Sequence, residues 1–388
     1  MNGVVPLPDA EVFIERAVDE TGLDDFGTGA WRDGLDALLG ALGDAELNPL
    51  GAATYDFTIG NGLRSRLGVV DWLHREPAIR DEVIEAPVIV LGLPRTGTTA
   101  LAHLLAADRD TRSLRTWEAT TPVPPPDRAT EATDARIAAT QAGIDLSHQL
   151  MPDLPRLYFA TATSPSEALD LMGMSFRAWQ ASGPARIPAY EDWLFGCDMR
   201  DGYAFEADVL RLLQRHCPPN RWAWKNPPDV AFIDAVRTAF PDARFVWTHR
   251  DPMAALTSVC SLLTVVAAPG TDRFDPAWLG PRQTEDWATA VDRGLEARAA
   301  LGEACFADVY MADVVADPIA AMAALYAELG WPFTAHAETA MREWSAGNAR
   351  HARGDHAPDP NQFGLDPHAV AERFSAYTHR FGARGGWT

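Results

Sequence analysis

Apolar residues at Trp31, Leu35, Leu38, Leu39 and Leu42 recur at the spacing of one helical face and predict a helix over residues 31–42. A second helix is expected from Asn61 to His74, after which Pro77 and Pro87 bracket a short link. The pattern then changes. Val88-Ile89-Val90-Leu91 is an unbroken, largely β-branched run, a Gly-rich turn follows to Gly97, and Ala100 to Ala107 read as a helix. Three more short apolar runs, Trp222 to Lys225, Arg244 to His249 and Phe306 to Met311, read as strands, the last followed by a helix from Pro318 to Leu329. Strands alternating with helices predict an α/β fold, a parallel sheet with right-handed crossovers flanked by helices.

Between these runs, Thr130 to Arg200 is mostly helical in pattern, and Ser164-Pro165-Ser166-Glu167 reads as a helix start with Ser at the cap and Glu three residues on. Tyr158, Phe159, Met172, Met174, Phe176, Trp179, Tyr190, Trp193 and Phe195 crowd this part. Core packing explains most of them, and a pocket built here would be greasy. Met253 to Gly270 is uncharged for 18 residues but contains Thr257, Ser258, Ser261 and Thr264, so it reads as a buried helix and not a membrane span. The expected organisation is one domain over 1–388: a P-loop-like parallel sheet with a helical lead-in (1–85), a Gly-loop unit (86–128), a helical middle insertion (129–216) and the remaining sheet with a C-terminal cap (217–388).

Composition adds exclusions. A formal charge of -21 over 388 residues argues against nucleic acid as a partner, because counterion release needs a basic face. No basic and apolar leader is visible from Met1 to Glu15, and Cys197, Cys217, Cys260 and Cys305 show no metal or redox spacing. Free thiols, a reducing cytoplasmic location and no metal are the expectations.

The chemistry begins at Gly92-Leu93-Pro94-Arg95-Thr96-Gly97-Thr98-Thr99. A strand, loop and helix in this order aim backbone N–H groups and the positive helix end at one point, which favours a phosphate or sulfate. The spacing Gly92-x4-Gly97 is that of a nucleotide-triphosphate P-loop, but Thr98 stands where that motif needs Lys, which weakens triphosphate hydrolysis as a reading. Arg95 supplies charge earlier in the loop. Lys225 is the only lysine in the chain, at the end of a predicted strand, where open α/β sheets bind ligands. Its compact ammonium is not imitated by Arg. Arg250-Asp251-Pro252 opens a helix with Asp251 as cap, and Ser258 on that helix could join Arg250 in gripping a second phosphate.

In this combination the sequence resembles the sulfotransferases that use 3′-phosphoadenosine 5′-phosphosulfate (PAPS). Gly92 to Thr99 looks like their 5′-phosphosulfate loop, Arg250-x7-Ser258 like their 3′-phosphate motif, and Trp224-Lys225-Asn226-Pro227 like the segment of their catalytic lysine. The bacterial branch whose loop reads Gly-Leu-Pro-Arg-Thr-Gly-Thr-Thr is the best match, and Phe363-Gly364-Leu365-Asp366 resembles its C-terminal signature. The resemblance implies sulfuryl transfer to a hydroxyl of a small, fairly apolar acceptor, without a metal and with adenosine 3′,5′-bisphosphate as product. It implies nucleotide contacts from Pro94, Arg95, Thr96, Gly97, Thr98, Thr99, Arg250 and Ser258, and from Arg350 or Arg353 in a closing segment. Lys225 and Arg95 would stabilise the transferring group, and Glu118, past the first helix of the unit, would be the base. Where relatives continue Lys-Ser-Pro with a His shortly after, this chain has Asn226 and Asp229, and Asp229 could serve as base or orient the acceptor. The alternatives are a P-loop kinase and a nucleotide-binding homologue without turnover.

Overall fold

The computed structural model describes residues 3–348 and 358–387. Five parallel strands form the centre: β1 (Val88–Gly92), β2 (Thr111–Arg112), β3 (Arg221–Lys225), β4 (Arg244–His249) and β5 (Phe306–Tyr310), in the order β2-β3-β1-β4-β5. In register, Val90 lies beside Lys225 and Gly92 beside Thr248, so the ends of β1, β3 and β4 share one edge. β2, only two residues long, carries too little pattern to be read from sequence.

Helices cover both faces, which is why the strands are apolar on both sides. Ile89, Leu91, Trp222, Trp224, Phe245 and Trp247 enter one cluster with residues of the helices at Arg200–Gln214 and Leu279–Leu301. Val88, Val90, Ala223, Val246 and Ala307 turn the other way, towards α4 (Thr98–Ala107 by chain order) and the helices at Pro318–Leu329 and Ala335–Gly347. The lead-in folds as α1 (Ala10–Thr21), α2 (Trp31–Leu42) and α3 (Pro49–Arg75), which pack their own core against Phe176, Ile187 and Tyr190.

α2 has the expected bounds, but α3 starts at Pro49 rather than Asn61. Asn48 caps it by accepting from the N–H groups of Leu50 and Gly51, and Pro49 occupies the first helical position. Gly51, Gly60 and Gly62 dilute the apolar stripe there, which is why periodicity misses the first turns.

The middle segment departs furthest from expectation. Helices form at Ala135–Leu150 and Pro188–Gly196, but the chain between them is a succession of short turns. Ser164 to Glu167 is no helix start: it runs extended, with Pro165 bridged to Arg115 and Glu167 bridged to Lys225. The N–H of Ser166 donates to the Leu114 carbonyl at 2.8 Å and that of Ala168 to the Lys225 carbonyl at 3.1 Å, so donors that a helix would leave open are engaged by neighbouring chain. Helix begins only at Leu169.

The apolar stretch after Arg250 is a helix over Pro252–Ala267 with Asp251 as its cap, as expected. Pro252 to Gly270 is long and apolar enough to cross a membrane by length and composition alone. Ala255, Leu256, Val259 and Cys260 pack into the core, and Leu262, Leu263 and Val266 line a cavity instead. All four cysteines are free thiols, Cys217 and Cys260 buried and Cys197 and Cys305 partly exposed.

Candidate active site

At the end of β1 the chain must reverse tightly beside β4. Gly92 has a φ of 125°, and a Cβ there would stand 2.8 Å from the Thr248 carbonyl oxygen. Gly97, φ 93°, then caps α4 with no side-chain hydrogen bond. The first N–H groups of α4 therefore have neither an intrahelical partner nor a capping side chain, the arrangement that binds an anion. Arg95 is in the left-handed region at φ 64°, a conformation that non-Gly residues adopt at a cost.

Two guanidinium groups converge on this loop. Arg95 Nε donates to Ser258 Oγ at 3.1 Å, and Arg250 Nη1 donates to the Arg95 carbonyl at 2.9 Å. Burial, and then the nearby Arg250, hold the Arg95 guanidinium below its ordinary pKa. Crowded like charges of this kind are relieved by an anion.

On the other side of the loop stands Lys225, fully buried at the end of β3. Its ammonium donates to Glu167 Oε1 at 2.6 Å and to Thr99 Oγ1 at 3.1 Å, and lies 5.3 Å from the ring centre of Tyr158. The sequence-distant Glu167 reaches Lys225 because the extended strip Ser164 to Glu167 lies along β3. Thr99, Glu167 and Tyr158 all line a cavity of about 670 Å³ that begins at the loop and runs over the middle segment. Pro94, Arg95, Gly97, Thr98 and Arg250 line its loop end, where His103 also stacks on Trp344 with ring centres 5.1 Å apart. Leu169, Trp179, Trp287 and Leu263 are among the apolar side chains of the remainder. Chemically, the arrangement offers an anion cradle, an ammonium against it, and a carboxylate beside the ammonium that faces an apolar chamber.

The family model for sulfotransferases matches residues 87–335, from the link before β1 to the helix after β5. The chain belongs to the sulfotransferase family. Its fold is similar to that of the sulfotransferase STF1 from Mycobacterium tuberculosis H37Rv, with a TM-score of 0.85 and 30% identity over 96% of this chain and 99% of that one. It is similar also to the sulfotransferase STF9 from Mycobacterium avium, with a TM-score of 0.88 and 29% identity over 97% of each chain. No curated protein matches it.

Several residues expected in this sulfotransferase's site lie elsewhere. Glu118 is fully buried and absent from the cavity wall. Its carboxylate accepts from Arg112 at 2.6 Å and from Arg115 at 2.6 and 3.0 Å, and also from the Arg115 backbone N–H. With both oxygens held by guanidinium groups, it is a structural counterion, not a base. Asp229 is likewise buried away from the cavity, accepting from Tyr203 Oη at 2.6 Å and from the Asn226 amide. Burial pushes its carboxyl up to about 7, against the lowering pull of those two bonds, and lifts neighbouring Glu206 well above the ordinary range.

Thr96 turns its hydroxyl inward, to the Leu93 carbonyl and to Thr248 Oγ1, each at 2.6 Å, so its side chain braces the loop. Arg350 and Arg353 lie outside the described residues. Sequence reasoning missed Glu167 and Asp170 as cavity residues. Glu167 carried the wrong signal, a capping pattern, and only its pairing with the sole lysine across 58 positions marks it.

Proposed function

We propose that this sulfotransferase moves the sulfuryl group of PAPS to a hydroxyl of a small, largely apolar acceptor. The observation that carries the reading is the Lys225 ammonium, which bridges Thr99 at the start of α4 and the cavity carboxylate Glu167. The open N-terminus of α4 and the crowded pair Arg95 and Arg250 fit a nucleotide with two separate anionic groups, the 5′-phosphosulfate on the loop and the 3′-phosphate by Arg250 and Ser258. The donor supplies an activated sulfuryl group. The chain's residues do the rest.

Lys225 and Arg95 offset negative charge that grows on the leaving phosphate oxygen and on the equatorial oxygens as transfer proceeds. Glu167 takes the hydroxyl proton as the new oxygen–sulfur bond forms and the sulfur–oxygen bond to the phosphate breaks. Adenosine 3′,5′-bisphosphate and a sulfate ester result. The Lys225–Glu167 pair suits this, because it sets the ammonium towards the loop and the carboxylate towards the cavity. The aromatic and aliphatic lining favours an apolar acceptor, and an intracellular setting accords with the free thiols.

The test is product formation from PAPS and a phenol panel, read by mass spectrometry, with adenosine 3′,5′-bisphosphate affinity measured in parallel. Ester formation by the wild type and its loss by about 10³-fold in Lys225→Ala, with nucleotide affinity changed only a few fold, are expected. Nucleotide binding without ester from any phenol, or a Lys225→Ala variant with undiminished rate, would overturn the reading.

A further inference from the structure

In the cavity wall, three positions beyond Glu167, stands a second carboxylate that the proposed chemistry does not use. Asp170 lines the cavity, and its backbone N–H donates to the Glu167 carbonyl at 3.3 Å, a spacing that sets the two side chains next to one another. Ser166 Oγ donates to Asp170 Oδ2 at 2.8 Å and holds the group in place. Glu167 beside it is matched by Lys225, as Glu118 is by Arg112 and Arg115 and Glu191 by Arg282, while buried Asp229 is held by the neutral donors Tyr203 and Asn226. Among the described residues, no arginine, lysine or histidine lies within 4.0 Å of Asp170.

A carboxylate in such surroundings is costly unless a donor reaches it. Burial pushes its carboxyl up to about 6, with Glu167 adding to the shift and the Ser166 hydroxyl and Lys225 ammonium pulling it back, so most of the charge remains at neutral pH without an ion pair of its own. The Lys225 ammonium donates to Glu167 and Thr99, and it acts on Asp170 only through space. With Ser166 as its side-chain donor and no ion pair, Asp170 faces the cavity able to take a further donor that arrives with the acceptor.

We infer that Asp170 is a specificity-determining residue that selects acceptors carrying a second hydrogen-bond donor, a hydroxyl or a protonated amine, besides the hydroxyl that is sulfated. This rests on the cavity being the acceptor site. Glu167 and Asp170, three positions apart, would read the two groups of one molecule, the first taking a proton and the second accepting a hydrogen bond. The remaining contacts are apolar and tolerate variation of the scaffold between them. The overall charge of -21 raises the local concentration of a cationic acceptor, so an amine gains in encounter as well as in binding.

Three phenols of nearly equal shape separate the possibilities: 4-ethylphenol, 4-(2-hydroxyethyl)phenol and 4-(2-aminoethyl)phenol. Their affinities are measured calorimetrically on the full chain saturated with adenosine 3′,5′-bisphosphate, so no turnover is needed. The amine, or the amine and the diol together, should bind at least about tenfold tighter than 4-ethylphenol, as one charge-assisted hydrogen bond predicts. In Asp170→Ala that ratio should fall to within about twofold, and Asp170→Asn, which keeps the shape and removes the charge, should lose the amine preference while retaining part of that for the diol.

Preference for the amine alone assigns the site to a cation, and preference for both assigns it to any donor. Equal affinity for all three, no affinity for any, or a preference that survives both substitutions overturns the inference. A protein that shows the preference but makes no sulfate ester keeps this inference and loses the proposed activity. One that sulfates 4-ethylphenol as readily as the amine does the reverse.

Discussion

The carboxyl edge of the sheet has two halves built in different ways. Over β1 and β4, the anion cradle is made of two strand-to-helix turns: the loop from Gly92 to Gly97 with the start of α4, and Arg250 at the end of β4 with Ser258 on the helix it opens. Over β3, the chamber is made of side chains brought from afar, Tyr158 and Glu167 from irregular chain, Asp170 and Trp179 from short helical turns and Leu263 from a helix that belongs to the first half. A group that binds an anion through backbone N–H groups needs only a local turn. A chamber for an apolar molecule needs surfaces, and these come from tertiary packing. Lys225 stands at the seam and touches both halves, Thr99 on one side and Glu167 on the other.

Four perturbations break or sharpen this contrast, and the largest concerns a residue in neither half. Glu118→Ala should cost about 3 to 5 kcal/mol of stability, because it leaves Arg112 and Arg115 without their shared counterion. Denaturant unfolding checks this, and turnover per folded molecule should stay near wild type. A loss confined to turnover would return Glu118 to the site. Glu167→Gln acts on the chamber half: turnover should fall about 10²-fold or more with little change in nucleotide affinity, read by initial rates and calorimetry.

Arg250→Ala acts on the cradle half and should do the opposite. Affinity for adenosine 3′,5′-bisphosphate should weaken by about 1.5 to 3 kcal/mol, with a smaller effect on the rate at saturating nucleotide. Smallest is the effect of the buried pair Asp229 and Glu206 behind both halves. Their carboxyls are raised by folding, so the native state binds more protons than the unfolded one. Stability from them is therefore present below the ordinary carboxylate range and is lost as pH rises from about 4 towards 7. Thermal melts should show the melting temperature falling over that window, and Glu206→Gln, which keeps the uncharged state, should flatten the fall by about a few °C.

The contrast between the halves also explains what the sequence makes legible. The strand Val88 to Gly92, the loop, Lys225 at a strand end and Asp251 as a helix cap are each fixed by neighbours within a few positions, and each stands where the pattern predicts. The strip Ser164 to Glu167 has the residues of a capping box yet forms none, because Leu114 and Lys225 accept from its backbone first. Glu118 sits three positions after Arg115 and six after Arg112, close in sequence to both of the arginines that hold it. Asp229 is near Lys225 in sequence, but the turn at Pro227 and Pro228 sends its carboxylate to Tyr203, behind the cavity wall. Contacts across 58 positions, as between Lys225 and Glu167, leave no trace in local spacing.

The central claim is that Lys225 and Glu167 form one device that joins the two halves, and a double-mutant cycle on the single-turnover rate of sulfate ester formation from PAPS tests it most directly. If the pair acts as a unit, Lys225→Ala combined with Glu167→Gln is about as slow as Lys225→Ala alone. Losses that multiply in the double variant would show two independent residues and contradict the account.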